Sequence, residues 1–237
     1  MRDPEGTRVG KRCVSAAACM AVFALLMGQG CASQEKKKSS GEGDATRYLR
    51  LAYVQFERGQ TSQALESARE AVKRDPKSAE AHYFLGVIHT GLSEYPQAMS
   101  ELKEAVALDP HYTDAHNNLG VVYVELKEYD KAMKEFQASL ADKTYRTPEK
   151  VHLNMGNMYV SQGVLSEGLR SFQKALEINP NYLLAYLGAG DAYKRMGKTD
   201  LAAQQFKKVI AIAPDSPEAG RARQGLGLAP TAGAGGG

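Results

Sequence analysis

Histidine is the side chain best suited to acid–base work or metal binding near neutral pH, and His82, His116 and His152 recur at nearly equal intervals along the chain. Those intervals are too wide for a shared zinc, which calls for ligands a helical turn apart, as in H-E-x-x-H. His89 and His111 add no second ligand at helical spacing. Two uses remain for the row: stacking within a repeated structure, or a collective titration that loosens the structure in acid.

Nucleophilic and phosphate chemistry have no better footing. The sequence contains no glycine-rich loop followed by Lys and Ser or Thr, no G-x-S-x-G turn and no closely paired cysteines. We therefore expect no catalytic residues, no metal, no cofactor and no small-molecule substrate. The formal charge is +3, and residues 1–30 hold Arg2, Arg8, Lys11 and Arg12 against Asp3 and Glu5, so the remainder is nearly neutral. That balance gives no support for nucleic-acid binding.

The first 30 residues read as an export leader: a basic stretch through Arg12, an apolar run from Cys13 to Met27, then small and polar residues before Cys31. The run is too short for a permanent membrane span. A cysteine after Gly28-Gln29-Gly30 resembles the lipobox of bacterial lipoproteins, which implies lipidation of Cys31 and cleavage just before it. Gly28 stands where that motif prefers Leu, and the alternative is cleavage after Ala32, giving a freely soluble periplasmic protein. Ala32 and Ser33 lack the Asp that resembles an inner-membrane retention signal, so the expected anchor is the outer membrane, with the folded part facing the periplasm. Residues 31–44 are polar and read as a flexible tether, with Lys36 to Lys38 either solvated or touching anionic lipid.

The structural elements follow from self-comparison. Pro76, Pro110, Pro180 and Pro214 mark a period of 34 residues, which resembles the tetratricopeptide signature. In that register Ala52, Gly86, Gly120, Gly156 and Gly190 occupy position 8, and Ala64, Ala98, Ala132, Gly168 and Ala202 occupy position 20, the small residues that let two helices approach. Leu51, Leu85, Leu119 and Met155 at position 7 are expected in the core, with Leu102, Phe136, Phe172 and Phe206 at position 24. The expected fold is all-α: a right-handed solenoid of five helix-turn-helix repeats, 45–78, 79–112, 113–148, 149–182 and 183–216, with a capping helix over 217–226 and a disordered tail over 227–237. Thr144 stands where the third unit should carry proline, so a longer turn is expected before Pro148.

Positions 5, 9 and 12 of each first helix point into the groove of such a solenoid. Here they give Leu49, Tyr53, Phe56, Tyr83, Val87, Thr90, Asn117, Val121, Val124, Leu153, Asn157 and Val160. An apolar stripe of this kind marks a protein-binding surface, unless some of its members pack between helices. In the fifth unit Leu187, Asp191 and Lys194 end it.

The stretch Asn117-Asn118-Leu119-Gly120, the irregular link from Ser139 to Pro148 and Asn154-Met155-Gly156 together resemble the PilF/PilW/Tgl family of type IV pilus lipoproteins. The resemblance covers most of the chain. It implies a non-enzymatic outer-membrane pilotin that binds the pilus secretin and promotes its insertion and multimer assembly. The alternative is a general periplasmic scaffold for envelope complexes.

Overall fold

The computed structural model describes residues 43–228. The leader, Cys31, most of the expected tether and nearly all of the expected tail lie outside the described residues. Eleven helices run through the described residues: α1 (43–57), α2 (Thr61–Arg74), α3 (Ala79–Gly91), α4 (Tyr95–Leu108), α5 (Thr113–Glu125), α6 (Tyr129–Ala141), α7 (Pro148–Ser161), α8 (Leu165–Ile178), α9 (Leu183–Arg195), α10 (Thr199–Ile212) and α11 (Pro217–Gly225). They form five antiparallel hairpins, each packed on the next, and α11 closes the far end against α9 and α10.

Every hairpin turn is built alike. The second residue after the first helix ends takes a left-handed conformation at Gly59, Ser93, Lys127, Gly163 and Gly197. The next amide then reaches back to the helix it has left, as Glu128 N–H does to Tyr123 O at 2.8 Å and Lys198 N–H to Tyr193 O at 2.9 Å. Glycine adopts this backbone freely. Ser93 and Lys127 hold it at a cost of about 1 kcal/mol.

Inside the third, fourth and fifth hairpins an aromatic ring lies against a glycine, and in the second Leu102 lies against Gly86. A Cβ built on Gly120 would sit 2.5 Å from the Phe136 ring, and one on Gly156 would sit 2.4 Å from Phe172. Phe172 is also met from the next unit by Gly188, where a Cβ would come within 2.6 Å. The rings of Phe136, Phe172 and Phe206 are fully buried in consequence. The small residues at positions 8 and 20 thus set the helix spacing, and the ring at position 24 fills it.

Four details differ from expectation. Gly43 and Asp44, read as tether, already belong to α1, where Asp44 pairs with Arg74 at 2.9 Å. Leu51, expected in the core, is 45% exposed, because position 7 packs on the preceding unit and the first unit has none. Pro148, placed at the end of the third repeat, is the first residue of α7, where its missing N–H costs nothing. Gly227 and Leu228, read as disordered tail, form the stop of α11, with Leu228 N–H donating to Arg223 O at 2.9 Å. The long turn does fall at 142–147: six residues separate α6 from α7, and Asp142 caps the turn through the N–H and hydroxyl of Thr144.

Candidate functional site

The histidine row turns out to be a set of staples, not a stack. His82 Nδ1–H donates to Glu101 at 2.7 Å and Nε2–H to the carbonyl of Pro76 at 3.2 Å. His116 repeats the pattern with Glu135 at 2.7 Å and Pro110 O at 3.1 Å. Both partners of each ring are acceptors, so only the doubly protonated imidazolium satisfies both. The hydrogen bond to glutamate accordingly raises the pKa of both histidines.

His152 has no such glutamate. Its place in the second helix is taken by Ser171, and the buried Nδ1 has no partner among the described residues. Burial, helped by Lys174, lowers its pKa. The pKa of His152 therefore shifts opposite to those of His82 and His116, and the alternative of a collective titration that loosens the structure in acid does not follow. Among the described residues no group of three His, Cys, Asp or Glu side chains is placed to hold a metal.

The groove residues divide by helical position. Of the position 5 residues, Leu49, Asn117 and Leu153 are buried between units and do not present a binding surface, whereas Tyr83 stays half-buried. The reason is steric: position 5 faces the adjoining hairpin as well as the groove, so Leu49 joins the core shared with Phe84, Leu153 that with Ala185 and Ala189, and Asn117 meets Asn154. Tyr53, Phe56, Tyr83, Val87, Val121, Val124 and Val160 are half-buried, and Asn157 is exposed. These eight and the half-buried Thr90 remain as the accessible line.

The aromatic members pack on one another. The Tyr53 and Phe84 ring centroids are 3.8 Å apart, Phe56 meets Phe84 edge-on at 5.7 Å, and Tyr83 lies 4.9 Å from Tyr112. Two carboxylates sit among them: Asp114, and Glu80 beside the Tyr53 hydroxyl. Asp114 accepts from the Tyr145 hydroxyl at 2.8 Å, and Asn118 donates to the Asp114 carbonyl at 2.9 Å and to the Tyr83 hydroxyl at 3.4 Å. Burial, then the charge of Asp114, pushes the Tyr83 pKa up to about 12. Burial also raises those of Tyr53, Tyr112 and Tyr145. All four hydroxyls stay protonated and act as hydrogen-bonding groups, not as nucleophiles.

A second polar pair crosses the long link: Asn154 Nδ2–H donates to the buried Asn117 Oδ1 at 2.9 Å. Tyr112, Tyr145, Glu80, Asp114, Asn118 and Asn154 were not among the groove positions read from the sequence. The repeated phrase Pro-x-Tyr, at Pro110-His111-Tyr112 and Pro180-Asn181-Tyr182, was the available signal for Tyr112. Beyond the fourth unit the groove turns basic, with Lys194 and Arg195, the latter donating to Val160 O at 2.5 Å. No helix among the described residues is long and apolar enough to cross a membrane.

Comparison with known proteins agrees with this geometry. Family models described as tetratricopeptide repeat match residues 49–112, 90–144 and 184–216, and one described as TPR repeat matches 156–197. A curated relative, the chloroplastic tetratricopeptide repeat domain-containing protein PYG7 of Arabidopsis thaliana, is 30% identical over 77 residues, which are 32% of this chain and 26% of that one. The chain thus spans about a quarter of the length of that relative. Among solved structures, PilW, described as a widely conserved type IV pilus biogenesis factor, superposes with a TM-score of 0.69 at 23% identity, over 78% of this chain and 87% of PilW. PilF of Pseudomonas aeruginosa gives 0.66 at 23% identity, over 79% and 86%. The hairpin geometry, the repeat matches and these superpositions together identify the described residues as a tetratricopeptide-repeat solenoid.

Proposed function

We propose that this protein is a pilotin of the type IV pilus machine: a lipoprotein anchored through Cys31 in the outer membrane and facing the periplasm, which holds a secretin subunit in its groove and promotes its insertion and assembly into the multimer. The observation that carries the reading is the likeness to PilW and PilF over more than three quarters of the chain. The long link at 142–147, which the family resemblance anticipates, adds to it.

Recognition would run along Tyr53, Phe56, Tyr83, Val87, Val121, Val124, Asn157 and Val160, with apolar anchors of the partner on the valines and its backbone on the amide and hydroxyl groups. Leu49, Asn117 and Leu153 would support that line from beneath. Val87 is the cleanest probe, being half-exposed and outside the core clusters, whereas Tyr83 is tied to Tyr112 and Asn118.

The deciding experiment compares heat-resistant secretin multimers in membranes of the source bacterium with and without this gene. Loss of multimers while monomer persists supports the reading, and Val87→Glu should reproduce that loss. Unchanged multimers overturn it. The second reading, a general scaffold for envelope complexes, is favoured by the repeat match to a chloroplast protein, since this fold serves more than one setting.

A further inference from the structure

The solenoid ends differently on its two sides. At positions 3, 7 and 10 the inner units carry Ala81, Leu85 and Ile88; Ala115, Leu119 and Val122; or Ala185, Ala189 and Ala192, all buried against the unit before. In α1 the same positions are Arg47, Leu51 and Val54, and nothing precedes them among the described residues. Leu51 is 45% and Val54 42% exposed. Arg47 lies on the same stripe one helical turn before Leu51, Arg58 follows Val54 by four residues in the turn just after α1, and Arg50 flanks the stripe beside Glu57.

A face that needed only to be soluble would replace the apolar pair with polar residues. This one keeps Leu51 and Val54 and surrounds them with guanidinium groups. Arg47 lies over the Tyr48 ring at 5.7 Å, while Arg50 and Arg58 have no carboxylate partner among the described residues. Asp44, the nearest acid on the other flank, is taken by Arg74.

We infer that this outward face of α1 rests on an anionic phospholipid surface, with Arg47, Arg50 and Arg58 at the headgroups and Leu51 and Val54 at the acyl boundary. Charge and apolar content match such a surface. The sequence also brings it there: α1 is already helical at residue 43, only twelve residues after Cys31, and Lys36 to Lys38 add positive charge to the sequence between them. The opposite end, with Arg221 and Arg223 against Asp215 and Glu218, offers no net negative charge to attract Arg47, Arg50 and Arg58 of a second copy. The inference shares with the proposed function only the nearness of the N-terminus to a membrane, and it requires no secretin.

The test uses residues 32–237, which contain every packing contact of the described array and lack the leader and Cys31. Cosedimentation is measured with vesicles of three parts phosphatidylethanolamine to one part phosphatidylglycerol, and with phosphatidylcholine vesicles. Salt-sensitive binding to the first and none to the second is expected. The triple variant Arg47→Glu, Arg50→Glu, Arg58→Glu should weaken binding at least about tenfold with an unchanged helical spectrum, and Leu51→Ser with Val54→Ser should weaken it too. Absence of binding overturns the inference. So does binding that survives the arginine reversals and is lost only when Lys36 to Lys38 become Gln. A concentration-dependent dimer abolished by Leu51→Ser would reassign the face to a second copy and overturn it as well. None of these results bears on secretin assembly, so the two readings fail separately.

Discussion

His116 and Glu135 meet at 2.7 Å across the two helices of the third hairpin, and the other nitrogen of the same ring reaches the carbonyl of Pro110 in the link that enters the unit. One charged ring thereby fastens three segments: both helices of its own hairpin and the end of the preceding one.

This arrangement fixes the sign of a pH effect. His82 and His116 are held above the ordinary histidine value by Glu101 and Glu135, so their contribution is complete below about pH 6.5 and is lost as pH rises through the folded-state value. Each pair contributes about 0.5 kcal/mol, discounted because the glutamates are partly solvated. The double variant Glu101→Gln, Glu135→Gln should melt lower than the parent at pH 6, with the gap narrowing at pH 8. A gap that is the same at both values would refute the charged staple.

His152 should move the other way. Its lowered pKa means a contribution present above about pH 6.5 and lost as pH falls. Ser171→Glu places a carboxylate where the second and third units have Glu101 and Glu135. Imidazole titration followed by NMR should then show His152 rising from below the ordinary histidine value to above it.

Gly120 lies under the Phe136 ring with no room for a methyl group. Gly120→Ala should cost about 2 kcal/mol in chemical denaturation. In the first unit Ala52 faces Ala68, and both are fully buried, so alanine is compatible with a small residue at position 24. The double variant Gly120→Ala, Phe136→Ala should therefore lose less than the sum of the two single changes.

Asn117 is buried at a position where the first, fourth and fifth units have Leu49, Leu153 and Leu187, and Asn154 is its partner. Asn154→Ala leaves that amide unsatisfied and should cost about 1–2 kcal/mol, whereas adding Asn117→Leu to it should recover most of the loss. Thermal melting of the three proteins checks the order.

Much of this architecture was legible because the repeat is written in residue size. Alanine or glycine at positions 8 and 20 can mean only close helix approach once the period is known, and the structure places Gly120 against Phe136 as that reading requires. End effects were harder. Leu51 carries the same letter as the buried Leu85, and only the lack of a neighbour separates their fates. The groove was half legible for a related reason: position 5 borders both the groove and the next hairpin, and spacing alone does not say which of them claims Asn117 or Leu153. The histidines were misread because a row at one helical position suggests contact between its members. Their partners, Glu101 and Glu135, lie nineteen residues further on, in the second helix of each hairpin.

The six-residue joint between α6 and α7 gives the array a preferred place to flex. In a solenoid each unit leans only on its neighbours, so bending compliance is concentrated where the connection is longest. Phe136, Val151 and Met158 keep the core continuous across this joint, and the Tyr145–Asp114 bond braces it like a strut. A cargo longer than one arm would then be gripped by two jaws whose angle it helps to set, and its release could be governed by one phenol and one carboxylate far from either end.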